Sequence, residues 1–94
     1  MLEFDRNAAV DASLLAEFFA RCGWEDPEAL VKLEWLLATS EEWITCRLGG
    51  QLVGFGRSYR LNPVDRVVFE AAVDPRLQDT GLRDLITRML KGAK

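Results

Sequence analysis

A loop in the C-terminal part of the chain has residues suited to binding an anion. It reads Gln78-Asp79-Thr80-Gly81-Leu82-Arg83, and it joins an apolar segment, broken at Pro75, to an amphipathic one. If a helix begins in this loop, the N–H groups of its first turn have no acceptor within the helix and are free to bind a phosphate or carboxylate. Gly81 lacks a side chain, so such a group can approach the backbone closely.

Two charged residues of the loop allow opposite interpretations of this site. The Asp79 carboxylate can accept the same N–H groups and repel phosphate, in which case Asp79 or Thr80 caps the helix. Arg83 can pair with a phosphate, or its bulk can fill the space that a small residue would leave. Arg83 can also pair with Asp79 across one helical turn, as a weak surface contact. We therefore expect anion binding at this loop to be weak or absent.

Glu70 is the one acidic residue inside the apolar segment that precedes the loop. A carboxylate that lies near an amine and has a raised pKa can act as a general base. Side chains alternate between the two faces of a strand, so Glu70 can equally be an outward-facing surface residue. Both interpretations stay open on the sequence alone.

Composition narrows the class of protein. The chain has 94 residues, 49% of them hydrophobic and 29% charged, with a net charge of −3. These values are typical of one soluble globular domain, residues 1–94. The sequence lacks a basic block, which argues against nucleic acid as the main partner.

The sequence contains no histidine and only two distant cysteines, Cys22 and Cys46. Those counts exclude a Cys/His zinc site and a histidine-based triad.

Targeting signals are also missing from the sequence. The first residues form neither a basic flank nor an apolar run, and no span approaches the length that crosses a bilayer. We therefore expect a cytoplasmic protein that does not enter a membrane.

The apolar pattern predicts three helices. Apolar residues recur at helical spacing in three segments, residues 14–22, 30–37 and 82–90. Asp11 or Ser13 is expected to cap the first helix, and Pro27 to lie in the first turn of the second. The order of elements is strand, helix, helix, three strands and helix, with a short first strand at Leu2 and Phe4. The sequence thus predicts an α/β (α+β) fold in which helices cover an antiparallel sheet of three or four strands.

The central strand carries an unusual run of small residues. Gly49-Gly50 predicts a hairpin turn between residues 43–48 and 51–61. Strict alternation puts one set of side chains on one face of the second arm, namely Val53, Phe55, Arg57 and Tyr59. It puts the other set on the opposite face, namely Leu52, Gly54, Gly56 and Ser58. The small residues of the second set allow another backbone or a ligand to come close.

Three stretches, together with Gln78-x-x-Gly81, resemble the GNAT superfamily of N-acetyltransferases. They are Phe19-Ala20-Arg21-Cys22-Gly23-Trp24, Gly50-Gln51-Leu52-Val53-Gly54-Phe55-Gly56-Arg57 and Val73-Asp74-Pro75. The resemblance covers nearly the whole chain, and the helix pair is most similar to the small plastid and cyanobacterial-type proteins. The family loop usually reads Gln/Arg-x-x-Gly-x-Gly/Ala, so Arg83 stands where a second small residue is usual.

The resemblance implies acetyl-coenzyme A as cofactor and acetyl transfer to a primary amine. It implies that Ala72 and Val73 face the pantetheine and that Glu70 is the general base. It also implies a phosphate loop made of Gln78, Asp79, Thr80, Gly81, Leu82 and Arg83. The acceptor amine cannot be read from these residues.

GNAT domains normally continue beyond this helix with a fifth strand, a helix and a final pair of strands. The resemblance therefore implies a truncated domain whose fourth strand has an open edge. A second copy, another protein or the chain's own termini are expected to cover that edge. A homodimer is expected to bury either the edge near Val67 to Val73 or the apolar face of the last helix. Two functions remain open: an acetyl-coenzyme A-dependent N-acetyltransferase, with an intact or degraded cofactor site, and a non-catalytic dimerisation or protein-interaction module.

Overall fold

The computed structural model describes residues 1–92 and confirms the predicted order of elements. The strands and helices are β1 Leu2–Arg6, α1 Ala12–Arg21, α2 Ala29–Ala38, β2 Glu42–Leu48, β3 Gln51–Leu61, β4 Arg66–Val73 and α3 Leu82–Lys91. The strands form one antiparallel sheet in the order β1-β2-β3-β4, so β1 and β4 are its edges. The predicted α+β class is therefore confirmed. The possible short strand predicted at the N-terminus is present as β1 and brings the number of strands in the described sheet to four. Within residues 1–92, no helix is long and apolar enough to cross a membrane.

Aspartate side chains bind backbone N–H groups at the start of α1 and in the turn before α2. Asp11, one of the two candidate caps, accepts hydrogen bonds at Oδ1 from the N–H of Ser13 at 2.9 Å and from its hydroxyl at 2.8 Å. The predicted start of α2 at Pro27 was two residues early. Asp26 accepts from the N–H of Glu28 at 2.8 Å, and this closes a turn before α2 begins at Ala29.

The helices cover both faces of the sheet and create two apolar cores. One core lies between the sheet and α3, and its buried members are Ile44, Cys46, Val53, Val73, Leu82, Ile86 and Leu90. The other lies between the sheet and the α1–α2 pair, and its buried members are Leu15, Phe18, Leu33, Leu52 and Phe55. Both cores meet at the β3–β4 pair, which thus sits at the centre of the packing.

The face predicted for Leu52 and Val53 was wrong because β3 contains a bulge. Cys46 of β2 pairs with Gly54, whereas the next residue, Arg47, pairs with Leu52. Val53 is therefore an extra residue in the ladder, and an extra residue reverses the alternation beyond it. As a result Val53 joins the α3 core, and Leu52 joins Phe55 in the other core.

The two glycines of β3 allow α3 to lie directly on the sheet. A Cβ at Gly54 would lie 2.9 Å from Ile86 Cδ1, and a Cβ at Gly56 would meet Ile86 Cγ2 even more closely. The close approach predicted for these small residues is thus made by a helix of the chain itself. A methyl group at either position would push Ile86, and with it α3, away from the sheet.

Replacing Gly56 with alanine is expected to destabilise the fold by about 2 kcal/mol, because the added methyl group overpacks a filled core. Urea denaturation followed by circular dichroism measures the loss. Ile86→Ala removes the atoms that the new methyl group would strike. The Gly56→Ala/Ile86→Ala variant should therefore lose less stability than the sum of the two single variants. Additive losses would show that Gly56 does not set this spacing.

Candidate active site

The loop before α3 ends in a glycine cap, so the interpretation in which Asp79 or Thr80 caps the helix is wrong. Gly81 is the N-cap of α3, with a left-handed backbone at φ 81°, and no side chain bonds to this end of the helix. The Thr80 hydroxyl donates instead to the carbonyl of Leu77 at 2.6 Å. Asp79 makes no hydrogen bond within the described residues. A Cβ at Gly81 would meet no atom within 4 Å, so its positive φ, and not crowding, requires glycine.

The first turn of α3 consequently has free donors. The first helical N–H to find an acceptor is that of Leu85, which donates to the carbonyl of Gly81 at 3.0 Å. Within residues 1–92, the N–H groups of Leu82 and Arg83 reach no protein acceptor. A shallow depression of about 360 Å³ lies at this end of the helix. Its lining residues are Gln78, Asp79, Gly81, Arg83 and Asp84.

The charges around this depression are mixed. Arg83 and Asp79 form no ion pair within the described residues, so the predicted contact across one turn is not made. Arg83 adds a positive charge to the positive end of the helix dipole, which favours an anion. Asp79 and Asp84 place two carboxylates in the same depression, which oppose one. The backbone geometry and Arg83 thus favour anion binding, whereas the carboxylates of Asp79 and Asp84 oppose it.

The edge of β4 presents its backbone to solvent at alternate residues. The N–H of Asp74 donates to the carbonyl of Val53 at 2.8 Å, and hydrogen bonds to β3 recur at every second residue of an antiparallel strand. Ala72 therefore directs its N–H and C=O groups toward β3, whereas Ala71 and Val73 direct theirs toward the open edge. Of the two residues expected to face pantetheine, only Val73 has a backbone on that edge.

The carbonyl of Val73 has a partner on another element. The thiol of Cys22 donates to it, with 3.4 Å between the sulfur and the oxygen. Burial, and after it the negative charge of Asp74, raise the pKa of the Cys22 thiol, so the thiol keeps the proton that it donates. This contact ties the end of α1 to the end of β4.

A small apolar cavity of about 190 Å³, here called the β4 cavity, lies on the α1–α2 face beside β4. Its lining residues are Phe19, Leu36, Phe55, Arg57, Glu70, Ala71 and Ala72. Glu70 lies at its rim with half of its side chain exposed and accepts at Oε1 from Nε of Arg57, 3.0 Å away. The other oxygen, Oε2, receives no hydrogen bond within the described part of the chain. Glu70 is thus neither a plain surface residue nor an isolated carboxylate.

Asp74 fixes the position of the loop. Its side chain is only 2% exposed, yet it accepts three hydrogen bonds from Arg76, one from the backbone N–H and two from the guanidinium, at 2.8 to 2.9 Å. Nε of Arg21 lies 3.4 Å from the same carboxylate. Hydrogen bonds from Arg76 hold the pKa of Asp74 well below its usual range, against the opposing effect of burial. The carboxylate therefore stays charged and anchors the turn Pro75–Leu77 to β3 and α1.

Sequence reasoning missed several residues of this site. Ala71 was overlooked because only its backbone matters here. Its N–H and C=O groups point to the open edge because the hydrogen bond of Asp74 to Val53 sets which residues of β4 bond to β3. Phe19, Leu36 and Phe55 looked like ordinary core residues, since their spacing matched the apolar stripes. Among residues 1–92, no group of three or more metal-binding side chains is clustered.

No protein-family model and no curated protein matches this sequence. Solved structures do match. A GNAT-family acetyltransferase from Streptococcus pneumoniae TIGR4 is 19% identical, with a TM-score of 0.74 over 94% of this chain and 64% of its own. A probable acetyltransferase from meticillin-resistant Staphylococcus aureus is 17% identical, with a TM-score of 0.76 over 99% and 68%. A ribosomal-protein-alanine N-acetyltransferase from Brucella melitensis biovar Abortus 2308 is 19% identical, with a TM-score of 0.69 over 98% and 71%.

These likenesses show that the chain has the fold of GNAT acetyltransferases. The fold predicted from the sequence motifs is thereby confirmed. The chain spans 64% of the Streptococcus structure, so it corresponds to part of such a domain. The likeness to the plastid and cyanobacterial-type subgroup stays a prediction.

Asp74→Asn is expected to lower the free energy of unfolding by about 2 kcal/mol at pH 7, because it removes charge-assisted hydrogen bonds. A carboxylate whose folded pKa is depressed stabilises the fold above its unfolded pKa of about 4, and this contribution fades as the pH falls further. The difference between wild type and Asp74→Asn should therefore begin to shrink below about pH 5 and keep shrinking through about pH 3 toward the depressed folded pKa. Urea titrations at each pH measure this difference in the free energy of unfolding. The exposed Asp5→Asn variant is the matched control, and an unchanged gap would contradict the charged state of Asp74.

Proposed function

We propose that this chain carries the acetyl-coenzyme A-binding and acceptor-binding parts of an N-acetyltransferase. The observation that carries the proposal is the first turn of α3, which is not capped by Asp79 and in which the N–H groups of Leu82 and Arg83 reach no acceptor within residues 1–92. The GNAT-like fold supports it, because the resemblance implies a pyrophosphate at this turn and a pantetheine along this strand. The cytoplasm, where acetyl-coenzyme A is available, is the compartment that this activity requires.

The residues present fit such a cofactor at the backbone level. The N–H groups of Leu82 and Arg83, with the Arg83 guanidinium, would hold the pyrophosphate. Ala71 would offer its outward N–H and C=O groups, and Val73 its outward N–H group, to the amide groups of pantetheine, since the Val73 carbonyl already accepts from the Cys22 thiol. When bound, acetyl-coenzyme A supplies the acetyl group as a reactive thioester. The two carboxylates of the depression weaken this site, so we expect a dissociation constant for coenzyme A above about 100 μM.

Glu70 is the group on this chain that can receive a proton from an acceptor ammonium. Glu70 lines the β4 cavity, and Arg57 binds its Oε1, whereas Oε2 receives no hydrogen bond within the described residues. The apolar walls at Phe19 and Phe55 exclude water from the neighbouring space. A deprotonated amine in this cavity would lie next to Ala72, at the end of the strand assigned to the cofactor.

Calorimetry with coenzyme A tests the assignment of the loop. Asp79→Asn should raise the affinity several-fold because it removes a repulsive charge, and Arg83→Gln should lower it by about tenfold because it removes a phosphate partner. Glu3→Gln, on the opposite edge of the sheet, changes the net charge by the same amount as Asp79→Asn and is the control for that variant. Tighter binding by Arg83→Gln would show that Arg83 obstructs the site and does not pair with phosphate.

Glu70→Gln is expected to lower acetyl transfer by about 10²-fold or more while leaving coenzyme A affinity unchanged, because it removes the base and not the cofactor contacts. The transfer assay uses a panel of primary amines with acetyl-coenzyme A as donor. Full activity in Glu70→Gln would remove this residue from the mechanism. Lack of transfer by the wild-type chain to every amine would favour the second function below.

The second function is a non-catalytic dimerisation module, and the charges of β4 favour it. Arg66 and Glu70 share a face of the strand four residues apart, and Arg66 has no ion pair within residues 1–92. Two copies paired antiparallel about Val68 would bring Arg66 of each copy opposite Glu70 of the other. Opposite charges in facing positions stabilise strand pairing by about 0.2 to 1 kcal/mol each. Exposed Val64, in the adjacent hairpin, adds apolar area to the same edge.

Charge reversal tests this homodimer in analytical ultracentrifugation at high micromolar concentration. Arg66→Glu and Glu70→Arg should each give monomers because they set like charges opposite one another. The Arg66→Glu/Glu70→Arg variant should dimerise again, because the opposite pairs return in the same register. Circular dichroism confirms folding of each variant. A wild-type chain that is monomeric at this concentration would rule the dimer out.

A further inference from the structure

The open edge of β4 has unpaired backbone groups at alternate residues. The pairing of β4 with β3 leaves the backbone of four residues directed outward, namely Val67, Phe69, Ala71 and Val73. Within residues 1–92, the Val73 carbonyl alone among these outward groups has a partner, the thiol of Cys22. Residues 67–73 contain one charged side chain, Glu70, and no proline. Such an edge is a template for pairing with another extended chain.

The β4 cavity lies beside this edge, since Ala71 is one of its lining residues, and it favours neither sign of charge. Arg57 and Glu70 both line it and bind each other, so their charges are compensated. Nη2 of Arg57 and Oε2 of Glu70 have no partner within the described residues. A charged group of either sign would therefore meet one like charge of the pair. The cavity thus suits an uncharged group.

The volume of the cavity matches one side chain. At about 190 Å³ it is smaller than the roughly 300 to 1,000 Å³ of pockets for drug-sized ligands. Its aromatic walls Phe19 and Phe55 meet edge to face, with 6.2 Å between the ring centres. Side chains of an extended chain alternate, so a strand paired with β4 would direct every second side chain to this face. The side chain opposite Ala72 would lie at the cavity.

Lys91 adds an uncompensated charge on the α3 face of the same edge. Its Nζ lies 5.4 Å from the centre of the Phe69 ring, and it has no ion pair within residues 1–92. Phe69 packs against the α3 core, so a residue opposite it on an added strand would point to the same face. An acidic side chain at that place would complement Lys91.

We propose that the β4 edge binds an extended segment of a partner protein as an added antiparallel strand. The segment pairs its backbone with the outward groups of residues 67–71. One uncharged apolar side chain opposite Ala72 enters the β4 cavity, and an acidic side chain opposite Phe69 binds Lys91. Because the segment runs opposite to β4, the acidic residue follows the apolar one by three positions. This interaction goes beyond the proposed transferase and does not require it.

Amide hydrogen exchange measured by NMR tests the added strand directly. The probe is a peptide of about seven residues, blocked at both ends, with a leucine and, three residues later, a glutamate. At saturation without coenzyme A, exchange at the N–H groups of Phe69 and Ala71 should slow by about tenfold or more, whereas exchange at Glu70 and Ala72 should change little. Unchanged exchange at Phe69 and Ala71 would overturn the inference. Protection of both groups before peptide is added would identify a second copy as the occupant and overturn it as well.

Altered peptides separate strand pairing from unspecific contact. An N-methyl group on the residue opposite Ala71 should abolish binding, because that N–H donates to β4, whereas one on the next residue should have no effect. Lysine or glutamate in place of the leucine should each weaken binding by about tenfold, because the cavity favours an uncharged group. Equal binding of both N-methylated peptides, or of the lysine or glutamate peptide, would contradict the proposal.

Protein variants place the two anchors. Lys91→Glu should weaken the peptide several-fold and should favour a peptide with lysine in place of its glutamate, whereas Arg88→Glu on the same helix should do neither. Ala72→Val should weaken the leucine peptide but not one with alanine there, and circular dichroism checks its folding. A lack of both effects would overturn the proposal. Coenzyme A binding without peptide binding would reject this proposal alone, and peptide binding without coenzyme A binding would reject only the transferase.

Discussion

The buried carboxylate of Asp74 is the constraint on which the candidate site depends. The backbone N–H of Asp74 donates to the carbonyl of Val53, which extends the pairing of β3 and β4 by one residue. The side chain of Asp74 binds Arg76 and Arg21. A buried charge is tolerated only when it is paired and hydrogen-bonded, so the chain around it has little freedom. Because Asp74 ends β4 and begins the turn toward Gly81, it fixes where the free end of α3 lies relative to the strand.

The packing of α3 completes this arrangement from the other face of the sheet. Gly54 and Gly56 let Ile86 approach the backbone of β3 more closely than any side chain there would allow. The helix is therefore held at its centre by Ile86 and at its start by the Asp74 turn. With both points fixed, the first-turn donors stay aimed past the end of β4 without a capping side chain to hold them. A site made mainly of backbone groups needs this rigidity, because it has no flexible side chain that could adjust to a ligand.

The sequence predicted the order of elements well because each element carried its own local signal. Apolar periodicity marked the helices, and the Gly49-Gly50 turn marked the central hairpin. The errors arose where the deciding contact was distant or backbone-based. The bulge at Val53 depends on pairing with β2, and it reversed the faces of two side chains. Asp79 has a side chain of a type that caps helices, yet the N-cap falls two residues later at Gly81, through a backbone conformation that glycine adopts readily.

Glu70 shows how one atom links the two candidate functions. Arg57 takes Oε1 in the folded chain, so every further interaction of this carboxylate must use Oε2. An ammonium in the β4 cavity and Arg66 of a second copy would approach the same oxygen from the cavity side and from the strand edge. The two donors would compete, because two positive charges held at one oxygen repel each other. Dimerisation through residues 66–70 would therefore occupy the base, while the first-turn N–H groups of α3 would remain open to a cofactor. The balance between the two interactions at Oε2 would then decide whether the chain transfers a group or only associates.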